Sequence, residues 1–72
     1  MNKDDRQALA QAVEKVQEAR QTLEELKDSL EERAENMPEN FEEKIDELTS
    51  QAETLEEAMG DLDSALDQVE GL

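Results

Sequence analysis

Carboxylates are the only side chains plentiful enough here to suggest chemistry: 22 of 72 residues are Asp or Glu, against 7 Lys or Arg, with no histidine and no cysteine. Lacking histidine, the chain has no ready proton carrier near neutral pH. Lacking cysteine, it has no thiolate nucleophile, soft metal ligand or disulfide. Metal binding would fall to carboxylates, which favour hard cations. Asp61-Leu62-Asp63-Ser64-Ala65-Leu66 begins like a calcium loop. It has Leu66 where that loop needs glycine and Leu72 where a bidentate glutamate belongs, so it is rejected. There is no glycine-rich phosphate loop, and no feature that would desolvate one of two neighbouring carboxylates for acid–base work. The expectation is a non-enzymatic chain with no cofactor and no metal.

The formal charge of −15 bears on partners. It argues against direct nucleic-acid binding, which gains affinity by releasing counterions to a cationic surface, and against an anionic membrane. A partner chosen by electrostatics would be basic. The first residues, Met1-Asn2-Lys3-Asp4-Asp5-Arg6, lead into no apolar stretch of the signal-peptide kind, and no run approaches the roughly 20 apolar residues of a membrane span. A cytoplasmic protein is expected.

The elements that carry these charges follow from the apolar spacing. In the second half Phe41, Ile45, Leu48, Ala52, Leu55, Met59, Leu62, Leu66 and Val69 recur at steps of four and three, as in a coiled-coil seam. The first half repeats the pattern through Leu9, Ala12, Val16, Ala19, Leu23, Leu26, Leu30, Arg33 and Met37. Pro38 disfavours helical geometry in the residue before it, and Asn40 with Glu43 has capping-box spacing; Asn2 with Asp5 is a poorer version. The fold class is therefore all-α, an antiparallel two-helix coiled-coil hairpin, with helix 1 over about 3–36, the turn at about 36–40 and helix 2 over about 40–70. With the turn centred on residue 39, facing residues lie equidistant from it. Ala12 then meets Leu66, Ala19 meets Met59, Leu26 meets Ala52, Leu30 meets Leu48, and Met37 meets Phe41. On one flank Arg6, Arg20 and Lys27 lie along Glu42, Glu56, Asp63 and Glu70. Gly60 is a weak point of helix 2, not a break, and Gly71 is its stop.

A chain this short rarely buries enough surface alone, so self-association or docking is expected. The flank opposite the cations presents Ala8, Thr22 and Ser29 from helix 1 with Gln51, Ala58 and Ala65 from helix 2. Small residues leave room for another helix, so this is the candidate oligomer face of a four-helix bundle or larger assembly. A plain solvated flank is the alternative.

Acidity works against this fold. Eleven carboxylate pairs are four residues apart, and no acid stands four residues before a cation, the stabilising order. Solubility, a salt-rich habitat or recognition of a basic groove could each account for it. From Glu39 to Glu70 there are twelve acidic side chains. At 1.5 Å per residue they average one per roughly 4 Å, near the ~3.4 Å phosphate spacing of one DNA strand, so the helix could imitate nucleic acid. The outward acids Asp46, Glu53 and Asp67 are the candidate partner surface. Arg33 is anomalous in the seam. Either its stem packs over Ile45 and its guanidinium reaches Glu35 or Glu42, or with Asn36, Asn40 and Lys44 it makes an anion contact near the turn.

The opening Met1-Asn2-Lys3, the turn Asn36-Met37-Pro38-Glu39 and the tail from Leu55 to Leu66 resemble short acidic helical-hairpin proteins of phages and prophages, whose turn often reads Asp-Asn-Met/Leu-Pro-Glu. Glu35 stands where that pattern has aspartate. The resemblance implies no catalytic residues. It implies a phage protein acting in the host cytoplasm, and by analogy an inhibitor of a host defence component that works by direct binding, possibly as a nucleic-acid mimic. Two alternatives stand beside it. One is an oligomeric sponge that sequesters a small signalling nucleotide through Arg33 and Lys44. The other is a structural or assembly module docking on a partner helix.

Overall fold

From Lys3 to Glu35 the chain has neither glycine nor proline and is built mainly of Ala, Leu, Glu, Gln, Lys and Arg, the strongest helix formers. The computed structural model, which describes residues 1–72, forms one helix there, α1 (Lys3–Glu35), and a second, α2 (Glu42–Glu70), with no strand. Asn2 caps α1 by accepting the Asp5 backbone N–H at 2.8 Å, satisfying one of the donors that a helix start leaves open. Asp4 and Asp5 complement the positive end of its dipole.

The connection differs from the expectation. The Phe41 N–H donates to the Pro38 carbonyl at 3.0 Å, closing a turn over Pro38–Phe41 that keeps Asn40 out of the helix. α2 accordingly starts at Glu42, with Phe41 as its cap residue, and the expected Asn40–Glu43 capping box does not form. No residue here needs positive φ and no peptide bond is cis. Glu39 also lies in the turn, so its repulsion with Glu43 is not a helix pair.

On α2 the apolar stripe behaves as its spacing requires. Leu48, Ala52 and Met59 are buried, while Ile45, Leu55, Leu62, Leu66 and Val69 are half-buried. Only Phe41 departs, 52% exposed and outside the helix. Gly60 leaves the helix unbroken, and a Cβ there would meet nothing within 4 Å. The helix ends before Gly71 without left-handed backbone, at φ −69°.

α1 is rotated from the expected seam. Leu9, Val16, Leu23, Leu30 and Met37 face inward as expected, but the residues between them are Val13, Arg20, Lys27 and Ala34. The expected Ala12, Ala19, Leu26 and Arg33 are all exposed. Rotation keeps the Arg33 guanidinium in water and replaces Ala12 by the larger Val13. It also lets Arg20 and Lys27 lay their stems along the seam with their charges at its edge. The Lys27 side chain is only 19% exposed, yet its ammonium reaches Glu31 at 3.2 Å. The cost is Leu26, left 48% exposed.

The pairing register also moves. Arg20 bonds Asp63, and the midpoint of those two positions lies between residues 41 and 42, not at 39. Leu30 packs with both Leu48 and Ala52, backed by Ala34, Met37 and Leu55. The result is a rod with principal extents of 59 × 15 × 11 Å, the turn at one end and Met1 with Leu72 around one concavity at the other.

Candidate functional site

Two helices side by side make a layer with two broad faces, and these differ in charge. On the first, Arg20 forms a forked contact with Asp63. Its Nε donates to Oδ1 at 2.6 Å and its Nη2 to Oδ2 at 3.1 Å, while Nη1 donates to Glu24 at 3.3 Å. The hydrogen bond to Asp63 raises the Arg20 pKa above its ordinary value, the Coulombic attraction adding to it. Lys27 is raised chiefly by its bond to Glu31, with Glu56 across the seam contributing. The expected row of cations against acids therefore forms at Arg20 and is felt at Lys27, whereas Arg6 makes no ion pair.

The shallow concavity beside Arg20 is lined by Gln17, Gln21, Glu24, Glu25 and Asp28. It contains no hydrophobic wall to exclude water, and its one cation is already paired. A desolvated acid–base pair cannot be built there. Nowhere in the chain do three or more carboxylates converge as metal ligands would.

At the turn the four expected anion contacts are not gathered. The concavity there is lined by Asn40, Phe41, Glu42, Glu43, Lys44 and Glu47. Arg33 and Asn36 are outside it, and the Lys44 ammonium lies 3.5 Å from Glu47. Arg33 meets neither Glu35 nor Glu42 and has no ion-pair partner.

Asp46, Glu53 and Asp67 are exposed along the outer side of α2, in a strip whose fourth member is Gly60. None of the three has a cation in contact.

The second face is nearly free of acid. Ala8, Thr22, Ser29, Gln51 and Ala65 are exposed there, and Ala58 is half-buried. The sequence reading left Leu26 off this face. It lines a groove with Leu30, Ser50, Gln51, Thr54 and Leu55 whose walls are largely apolar. An arginine in the expected seam was no signal against it, since the seam that forms carries Arg20 and Lys27. Comparison of the chain with protein-family models, with curated proteins and with solved structures gives no match in any of the three.

Proposed function

We propose that this chain is a non-enzymatic binding protein whose acidic outer strip on α2 engages a basic surface of another protein. The observation that carries the reading is the unpaired state of Asp46, Glu53 and Asp67, while Arg20, Lys27 and Lys44 are spent on other carboxylates. A line of uncompensated charge on a stiff rod steers association with an oppositely charged surface and costs no reorganisation on contact. Resemblance of the turn and tail to phage hairpins favours a host defence component as the partner, its basic surface one that otherwise holds nucleic acid. Nucleotide capture has less support, because the concavity holding Lys44 also holds three carboxylates and excludes Arg33.

The test is displacement of a labelled DNA duplex from a basic, sequence-independent DNA-binding protein, followed by anisotropy. The chain should release the duplex, with an effect that falls steeply as salt rises. Changing Asp46→Asn, Glu53→Gln and Asp67→Asn together should weaken release roughly tenfold. Glu14→Gln, Glu18→Gln and Glu25→Gln, an equal change in charge on α1, should weaken it far less. Equal losses would reduce the effect to net charge, and no release at low salt would end the proposal.

A further inference from the structure

We infer that the acid-poor face of the hairpin docks a second copy of this chain, face to face and with both turns at the same end, to form a four-helix bundle. Followed at steps of three and four from Ala8 to Arg33, this face of α1 presents small and apolar residues and two cations, Lys15 and Arg33. It has no carboxylate in a chain that has 22. Along α2, followed the same way, it continues through Lys44, Glu47, Gln51, Thr54, Ala58, Asp61 and Ala65, with two carboxylates. Everywhere else two copies would bring like charges together.

The threonines of the face cost little to desolvate. Its two threonine hydroxyls are already satisfied within their helices: Thr22 donates to the Glu18 carbonyl at 3.2 Å and Thr54 to that of Ser50 at 3.1 Å. Neither would be stripped of its partner by burial. Leu26, 48% exposed above the groove, is the apolar side chain that gains most from cover. The hairpin needs that cover, since 4 of its 72 residues are buried. A rod 59 Å long and 11 to 15 Å across offers about 650 to 900 Å² on one long side. A stable dimer uses about 800 Å² per partner.

Charge selects both the occupant and its orientation. Across its own hairpin Arg33 is level with Thr49, since its neighbour Ala34 shares a concavity with Ile45 and Thr49. With both turns at one end, α1 of each copy lies on α2 of the other, and the unpaired Arg33 comes over Glu47 of the second copy. Symmetry makes this contact twice. Leu26 then faces the level of Thr54 and Ala58. The reversed orientation stacks α1 on α1 and carries Arg33 to the chain-end half of the second copy, far from its Glu47. The inference rests on the acid-poor face and not on the acidic strip, so it stands or falls separately from the proposed function.

Sedimentation of the full chain at micromolar concentration should give twice the 8.2 kDa chain mass. Leu26→Glu and Ala65→Glu, both at exposed positions, should each raise the dimer dissociation constant at least tenfold, with circular dichroism confirming retained helix. Arg33→Glu should weaken the dimer, and adding Glu47→Arg should restore it. The chain has no cysteine, so spin labels on Glu39→Cys report orientation cleanly. They should lie about one helix-layer spacing apart, roughly 10 Å between axes, and not a rod length of 59 Å. A helical monomer at every concentration, or a dimer indifferent to Leu26→Glu and Ala65→Glu, overturns the interface. Labels a rod length apart, or a failed charge exchange, overturn the orientation.

Discussion

The half of the hairpin nearest the turn and the half nearest the chain ends are held differently. Near the turn Leu30, Leu48 and Ala52 are buried together, with Ala34, Met37 and Leu55 packed around them. Beyond Met59 the seam runs through Val13, Val16, Leu62, Leu66 and Val69, all half-buried, and through the stem of Arg20. α1 offers Leu23, Leu30 and Met37 with Lys27 and Ala34 in the turn half, and Leu9, Val13 and Val16 with the Arg20 stem in the other, so the same geometry encloses less apolar volume there. The turn also fixes the two strands of the rod at one end only. A helical hairpin of uniform pattern can thus be graded in stability by the size of one helix's seam residues, and opening should start at the chain ends.

The largest test of this contrast is Leu48→Ala, which should cost about 2–5 kcal/mol in denaturant unfolding, as full removal of a buried leucine does. Leu66→Ala, at a half-buried site, should cost roughly half as much. Equal costs would remove the gradient. Smaller, and opposite in sign, is Gly60→Ala. With open space at the Cβ position, it should add about 1 kcal/mol through helix propensity alone. Hydrogen exchange should slow mainly between Gly60 and Glu70, while the turn half changes little. Smallest of all is Asp63→Asn, which removes the contact holding Arg20 to α2. It should lower the melting temperature slightly at low salt and hardly at all near 1 M. The raised pKa values of Arg20 and Lys27 mean that both stabilise fully below their ordinary ranges and lose the effect only as pH rises through the raised ones. The Asp63→Asn decrement should therefore be the same at about pH 6 and pH 9; a decrement that differs between them would need another titrating group.

Legibility in the sequence tracked how strongly each helix commits to one face. α2 has an apolar residue at every seam position, so only one rotation buries them all, and the stripe from Ile45 to Val69 is found as read. α1 permits two rotations sharing Leu9, Val16, Leu23, Leu30 and Met37. Choosing between them needs a comparison of Leu26 buried with Arg33 against Val13 buried with the stems of Arg20 and Lys27. A rule that scores positions as apolar or polar cannot make that comparison, because a long cation is both. The register was missed for a related reason. Asn40 and Glu43 have capping spacing, but the Pro38–Phe41 turn takes up the residues that a cap would use, and each residue absorbed there slides the two helices past one another. At the candidate sites, exposure of Asp46, Glu53 and Asp67 followed from α2. Arg33 and Lys44 share a face, but the concavity that holds Lys44 excludes Arg33.

Met1 and Leu72 border one concavity at the end opposite Phe41. Anything joined to either end of the hairpin would be held at the same end, with the turn projecting up to 59 Å away. The fold is in that sense a spacer with both attachments at its base. It could be spliced into a surface loop of another protein without separating the loop's two sides, and the only aromatic ring in the chain would then ride at the tip.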